Sequence, residues 1–444
     1  MTRHSIFRST SRLLAVLGIM GGSLLLGSCT APPPPEASAP SPSPAPPPDY
    51  QRPARHLGLQ DFGDPNADRL RQRLRAGKQA DTVLRIVQLG DSHTASDTFT
   101  KGLRARLRTD LGDAGIGWIT PMNVRGMGHS LIKIQSKNWR LTSSRTDESD
   151  HFPLGGYIAQ AARKNAWIRV DAHQPDDQPY RATLLLRQTA DARPLLLQSG
   201  AQRHALSARQ AAAPRIGGWR YLSTRVQLPF TLTAADAGKT ELGGIWLEKE
   251  TRHGVLISPI GTNGARQGIW GKWQADWPAQ LAATRADLVI IAYGTNESFD
   301  PDLDPAALRA TLEEGIRVVR AALPRAAVLL IAAPDALRAA TNEHLPCAQR
   351  RPLHHKTVKQ AQLTVAKSQH TLYWDWESAQ GGACPMLDWQ ARGLVGKDLV
   401  HFTRDGYQES ARRLYLDLKR WERQGNEALG AVAGEDGSVT ETSH

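Results

Sequence analysis

The chain has 444 residues, more than one ordinary core organises, with 40% hydrophobic and 22% charged residues. A soluble globular protein built as two domains, or as one large domain with an insertion, is expected, and fibrous or wholly disordered classes are excluded. The formal net charge of +12 comes from basic residues scattered along the chain, without a basic run interleaved with aromatic platforms; nucleic acid is thereby excluded as the expected partner, and the positive surface either favours approach to an anionic polymer or is simply solvated.

Arg3, Arg8 and Arg12 precede an apolar run from Leu13 to Leu26 that closes on Leu26-Gly27-Ser28-Cys29. The run is shorter than the roughly 20 residues a membrane-spanning helix needs. Gly18, Gly21 and Gly22 interrupt it, so residues 1–29 read as a signal peptide. Its last four residues resemble the lipobox of bacterial lipoproteins, in which the cysteine is lipidated and becomes the new N-terminus; an unmodified cysteine near a plain cleavage site is the bland alternative. From Ala31 to Pro48, within a linker read as 30–52, the composition collapses to Pro, Ala and Ser, as in Pro33-Pro34-Pro35 and Pro46-Pro47-Pro48. That composition favours polyproline conformations and a semi-rigid spacer that lifts a domain off a membrane. With Cys29 set aside as the anchor, Cys347 and Cys384 form an even pair for which an oxidising compartment predicts a disulfide, two buried free thiols being the other reading.

A helix is expected from Pro65 to about Lys78, then an apolar strand from Val83 to Leu89 running into Gly90-Asp91-Ser92-His93 and helix-compatible sequence through Leu111. From about Gly117 to Glu250 the pattern changes. Strand-like segments (Ala166–Val170, Tyr180–Arg187, Trp219–Leu228, Leu242–Glu248) are separated by Gly, Pro, Asp and Gln clusters. An inserted all-β domain over 117–250 is the economical reading, and edge strands added to a main sheet the rival. The strand–loop–helix grammar then returns: Asp287–Tyr293 ends at Gly294-Thr295-Asn296, and Asp304-Pro305 supplies an N-cap and first-turn proline for a helix to about Leu323. Val328–Ala332 is another strand, followed by a helix around Thr357–Ser368, a strand at Thr371–Trp376 and a last helix at Arg404–Arg423. Alternation of this kind argues for an α/β core over 53–116 and 251–424, with a parallel sheet that binds ligands at the carboxyl ends of its strands. Residues 425–444 lack periodicity and are expected to be a disordered tail.

Two places put reactive residue types beside a strand end or helix start. In Gly90-Asp91-Ser92-His93 the glycine lets the chain turn off the strand and leaves Ser92 near the start of a helix, where N–H groups favour developing negative charge. Alone, such a tetrapeptide is as readily a turn whose Asp and Ser satisfy backbone donors. In Asp398-Leu399-Val400-His401 the spacing of three lets the carboxylate hold one imidazole nitrogen while the other faces a serine. A salt bridge or cap is the ordinary explanation of such a pair, and the 14 histidines, His129, His253 and His354 among them, offer other bases. Asp375 in Trp374-Asp375-Trp376 is a rival acid without a neighbouring histidine. No cofactor or metal is indicated: there is no H-E-x-x-H pattern, the adjacent His354 and His355 would diverge by about 100 degrees on a helix, and no Gly-rich phosphate loop occurs.

Taken in order, Gly90-Asp91-Ser92, the Gly261-Thr262-Asn263-Gly264 stretch, Gly294-Thr295-Asn296 and Asp398-x-x-His401 resemble the four sequence blocks of the SGNH or GDSL-type hydrolases. The usual leucine after the serine is His93 here. That departure, the Gly-Thr-Asn-Gly-Ala block and the long middle insertion look more like the peptidoglycan O-acetylesterase branch. The resemblance covers roughly Leu57 to Arg423 and implies an α/β, flavodoxin-like three-layer fold, with an inserted β-rich domain similar to a carbohydrate-binding module. It implies Ser92 as nucleophile, His401 as general base and acid, Asp398 as its orienting carboxylate, and an oxyanion hole of the Ser92 and Gly264 N–H groups with the Asn296 amide. Gly261 and Gly268 rival Gly264, Asp91 holds the loop, and His93 either lines the site or is structural. The implied activity is removal of O-acetyl groups from the muramic acid C6 hydroxyl by a lipoprotein anchored at the periplasmic face of the outer membrane. Acetyl transfer onto a glycan and non-catalytic wall binding are the alternatives.

Overall fold

Strands buried on both faces read as unbroken apolar runs, and three such strands form the centre of the computed structural model, which describes residues 56–149, 151–208, 218–338, 345–381 and 384–435, with side chains to 424. Leu288–Ala292 and Ala327–Ala332 are buried at every position, and Val83–Gly90 from Ile86 onward. They belong to a six-stranded sheet ordered Leu59–Asp61, Leu372–Asp375, Ala327–Ala332, Leu288–Ala292, Val83–Gly90, Gly254–Gly261. All neighbours pair parallel except the first two. Ranked by chain order, the parallel strands follow the doubly wound 2-1-3-4-5 pattern, whose switch point lies between the first and third.

Strand pleating sends alternate residues to opposite faces. Leu84, Ile86 and Ile290 pack with the helices Ala67–Arg75, Thr98–Leu111 and Arg404–Glu435, whereas Leu89, Val289 and Ile291 pack with Trp277–Ala282, Pro305–Ala322 and His355–Ser368. The result is three layers. Helix Pro305–Ala322 shows how locally this is written: Asp304 accepts from the Ala306 N–H at 2.8 Å, Pro305 opens the first turn, and Leu308, Leu312, Ile316 and Val319 keep one buried face.

Residues between Gly115 and Lys249 form two further antiparallel sheets of their own. One is ordered Gln202–Leu206, Leu195–Ser199, Phe230–Ala234, Ala166–Ala172, Ile132–Lys137. The other is ordered Arg220–Val226, Tyr180–Gln188, Thr240–Lys249, Tyr157–Ala161, Trp139–Ser143, with Gly115–Ile119 also on Thr240–Lys249. In Leu195–Ser199 and Phe230–Ala234 buried and more exposed positions alternate strictly, and the buried sets of both sheets share one core that includes Ile168, Leu197, Leu232, Leu184 and Leu247. Tryptophans seal this layer to the six-stranded sheet. The Trp118 and Trp246 rings lie 4.2 Å apart at a tilt of 60°, Trp270, Trp273 and Trp277 lie 5.3–5.7 Å apart, and all five share a core with Leu89 and Ile260. A Cβ on Gly244 would stand 1.5 Å from the Trp118 ring, so glycine is required there.

Three features depart from expectation. Gly254–Gly261 carries Pro259, which demotes a strand read from sequence; it is the edge strand of the sheet, where a missing N–H is tolerated. The outer side of that edge is covered by the Trp118 N–H donating to Ser258 Oγ at 3.1 Å and the Ala114 N–H to the Val255 carbonyl. The strand expected to reach Trp376 ends at Asp375, whose side chain accepts from the Ser378 N–H and starts the helix Trp376–Gln380. The last helix runs to Glu435 and so enters the segment expected to lack structure, where Ala428, Ala431 and Ala433 favour helix despite three glycines. Cys347 and Cys384 are joined, with Cα atoms 6.1 Å apart. No helix among the described residues is long and apolar enough to cross a membrane. Cys29, the signal segment and the whole Pro-rich stretch lie outside the described residues.

Candidate active site

Val83–Gly90 and Leu288–Ala292 are neighbours at the switch point, so the loops leaving their carboxyl ends border one crevice. A Cβ on Gly90 would meet Thr94 Oγ1 at 2.1 Å and the Ala292 carbonyl at 2.7 Å, so only glycine lets the chain leave the strand this tightly. Asp91 then caps the turn Ser92–Ala95: its side chain accepts from the His93 N–H at 2.9 Å and its carbonyl from the Thr94 and Ala95 N–H groups. Ser92 therefore opens a helical turn, where N–H groups lack intrahelical acceptors.

Leu399 has a left-handed backbone (φ 57°), which folds Asp398 back under His401. Asp398 Oδ1 accepts from the Val400 and His401 N–H groups at 3.1 and 3.0 Å, and Oδ2 binds His401 Nδ1 at 2.7 Å. His401 Nε2 lies 2.7 Å from Ser92 Oγ. With its Nδ1 proton held by the carboxylate, the imidazole offers an Nε2 lone pair to the serine hydroxyl. Burial would raise the Asp398 carboxyl, but the His401 side-chain bond and the two backbone bonds hold it below the usual carboxylate range.

The turn around Ser92 is sealed by contrast. Burial pushes Asp91 up to about 7, with Glu297 adding to the rise and the His93 N–H opposing it. Burial pushes His93 down to about 3, helped by His401. The His93 ring lies 5.3 Å from that of His401, Nδ1 is hydrogen-bonded to the Tyr407 hydroxyl at 2.9 Å, and Nε2 has no partner among the described residues. It is a neutral wall behind the His401 ring.

Ser92, His401, Gly264 and Asn296 line one cavity of about 710 Å3. Of the three competing glycines, Gly261 packs under the turn Ser92–Ala95, where a Cβ would stand 2.4 Å from the Ala95 nitrogen, and Gly268 sits in the 3-10 helix Gln267–Lys272 with open space around it. Gly264, left-handed at φ 69°, lines the cavity. Asn296 Nδ2 donates to the Ala265 carbonyl at 2.8 Å, which orients the amide and leaves its second N–H free for another acceptor. Glu297 ties the same two loops together, accepting from the Gly294 N–H at 3.0 Å and the Gln267 N–H at 2.9 Å. Sequence reading missed Glu297, although Gly294-x-x-Glu297 carries the spacing of a capping box. It named His129 only as one of several possible bases and missed the rest of the opposite wall, Gly126, Gly128 and Ser130, which belongs to the β-rich segment. That wall is anchored by buried Asp97, which accepts from Arg104, from Thr100 and from the Ser130 N–H and hydroxyl. Burial would raise Asp97, but Arg104 above all, with His129, holds it far below the usual range.

Other candidates are committed elsewhere. Asp375 is a helix cap paired to Lys359 at 2.9 Å. Asp335, His355 and Glu377 stand close enough to share an ion, yet Arg351 bridges Asp335 and Glu377, and Lys359 reaches Glu377, so cations of the chain already neutralise the cluster.

Comparison with known proteins yields two family matches: the peptidoglycan O-acetylesterase N-terminal family over residues 114–231 and the GDSL-like lipase/acylhydrolase family over residues 233–409. Gly90–His93 lies N-terminal to both ranges. A solved peptidoglycan O-acetylesterase is 32% identical, covering 82% of this chain and 99% of its own at a TM-score of 0.72. A carbohydrate acetylesterase from Sinorhizobium meliloti (14% identity, 37% of this chain and 79% of its own, TM-score 0.29) and a family two carbohydrate esterase from Cellvibrio japonicus (11%, 66% and 99%, TM-score 0.27) are too distant to bear on the site. A search of curated proteins gives no significant match.

Proposed function

The chain belongs to the peptidoglycan O-acetylesterase family, and from that premise we propose that it removes O-acetyl groups from the muramic acid C6 hydroxyl of peptidoglycan through an acyl-enzyme on Ser92. The observation that carries this reading is the continuous line from Ser92 Oγ to His401 Nε2 and from His401 Nδ1 to Asp398, each step 2.7 Å. Ser92 Oγ attacks the acetyl carbonyl while His401 Nε2 takes its proton. The negative oxygen of the tetrahedral intermediate is received by the Ser92 and Gly264 N–H groups and the free Asn296 amide N–H, donors that need no reorganisation as charge develops. Collapse breaks the bond to the sugar oxygen, to which His401 returns the proton. Water then repeats the sequence on the acetyl-serine and releases acetate, with Asp398 stabilising the imidazolium in both halves. The side chains of His401 and Asp398 are 43% and 53% exposed, which gives water a route to the acyl-enzyme and favours hydrolysis over transfer.

The same proposal places the enzyme outside the cytoplasm, with Cys29 as lipid anchor at the outer membrane, residues 30–52 as spacer, residues 53–116 and 251–424 as the hydrolase, 117–250 as an inserted glycan-facing domain, and the disulfide suited to an oxidising compartment. Acetate release from O-acetylated peptidoglycan by the wild type and by Ser92→Ala tests the reaction. Release by the wild type alone is expected; equal release by the variant would end the serine mechanism.

A further inference from the structure

The helices Thr98–Leu111 and Arg404–Glu435 are locked side by side at their starts. A Cβ on Gly102 would touch Ala411, and Gln408 Nε2 donates to the Thr98 carbonyl at 2.9 Å. Their first turns therefore open on the same cavity, and each delivers one cation to it: Lys101 and Arg404 both line it, together with Ser92 and His401. No aspartate or glutamate is among its lining residues. Further along these two helices most cations are partnered: Arg104 binds Asp97 at 2.8 Å, Arg108 binds Asp113 at 2.7 Å, and Arg412 and Arg413 bind Glu409 at 2.8 and 2.7 Å, while Arg106 donates to the Gly102 carbonyl. Lys101 and Arg404 have no ion pair among the described residues, and they are the two that face the cavity.

We propose that Lys101 and Arg404 form a carboxylate-binding subsite beside the nucleophile, which selects acetylated sugars that carry a carboxylate near the ester over neutral acetylated sugars. The proposal rests on the esterase reading of the same cavity and deepens it to a substrate class. Two cations in a recess with no acidic residue in its lining focus a positive potential on whatever enters, and the planar Arg404 fork suits a carboxylate better than a hydroxyl. In peptidoglycan that carboxylate has two sources, the lactyl acid of a sugar stripped of its peptide or an acid on an attached stem peptide. Their chemistry toward the subsite is the same.

The test measures kcat/KM for three acetylated substrates: a muropeptide with its stem, a glycan from which the stem has been removed, and a neutral N-acetylglucosamine oligomer. The wild type is expected to prefer an anionic substrate over the neutral one. Lys101→Gln and Arg404→Gln each lower that preference roughly tenfold, chiefly through KM, as loss of a charge-assisted bond predicts. Lys101→Arg retains it, and added salt erodes it in the wild type. A loss confined to the stem-bearing arm assigns the carboxylate to the peptide, and a loss confined to the stripped glycan assigns it to the lactyl group. A preference unchanged in both Gln variants overturns the subsite. Calorimetry of the deacetylated muropeptide and the stripped glycan on Ser92→Ala, with and without Lys101→Gln or Arg404→Gln, reads the subsite apart from catalysis. Binding of either one weakened roughly tenfold supports it, and unweakened binding of both overturns it, even if the wild type releases no acetate and the esterase reading itself falls.

Discussion

In the turn Gly90–His93 an aspartate and a histidine are sealed from solvent, 1% and 2% exposed, whereas in the turn Asp398–His401 the same two residue types stand about half open to it. The two histidine rings lie only 5.3 Å apart, so sequence distance and residue type are not what separates their roles. Environment is. Burial makes the charged form costly, which keeps His93 neutral and lifts Asp91 to about 7; solvent and three hydrogen bonds keep Asp398 ionised beside a histidine free to exchange protons. On the proposed mechanism the sealed pair positions and the open pair reacts.

The contrast breaks most visibly if the open turn or its serine is altered. Ser92→Ala, or His401→Ala, is expected to lower kcat by roughly 10⁴- to 10⁶-fold, with Asp398→Asn near the lower end, and the double variant Ser92→Ala/His401→Ala no worse than either single one, because the residues act as a unit. Steady-state kinetics on a chromogenic acetate ester read all four. Next comes the donor across the cavity: Asn296→Ala should cost roughly 10²- to 10³-fold in kcat, with KM little changed, if its free N–H meets charge only in the transition state.

The sealed turn should respond more mildly and differently. His93→Leu, which restores the residue usual in the wider hydrolase family, is expected to lower kcat by roughly ten- to a hundredfold through a displaced His401. It should also lower unfolding free energy by about 1–3 kcal/mol, because the Tyr407 hydroxyl loses its buried partner; kinetics and urea unfolding check the two parts. Asp91→Asn sharpens the comparison through pH. A carboxyl that titrates near 7 when folded and 3.8 when unfolded keeps its proton longer in the native state, so its contribution to stability is full below pH 4 and is lost as pH rises toward 7. The loss is of order 1 kcal/mol per pH unit in that window. The asparagine variant should flatten it, which unfolding curves at pH 4, 5.5 and 7 would measure; an equally steep wild-type and variant dependence would show that Asp91 is not the group responsible.

What the sequence made legible follows the same division. Ser92, Asp398 and His401 sit in short segments whose spacing already dictates the local turn, and the apolar runs Val83–Leu89 and Val328–Ala332 could be little other than buried strands. Gly254–Gly261 escaped because Pro259 speaks against a strand until its place at the sheet edge is known. The wall formed by His129 and Ser130 escaped because nothing near them in sequence points to the nucleophile; Asp97, some thirty residues away, brings them there through bonds made only in the folded chain. Lys101 and Arg404 were invisible for a related reason. Among 55 basic residues, these two stand out only because the folded chain brings both to the cavity lined by Ser92 and His401, which has no acid in its lining, and that is a three-dimensional property.

The central claim is that Ser92 carries the acetyl group during turnover. Brief exposure of the wild type to an activated acetate ester, followed by acid quenching and peptide mass analysis, should find one acetyl group on the peptide containing Ser92 and none in His401→Ala. Rapid acetate release with that serine never acetylated would contradict the account.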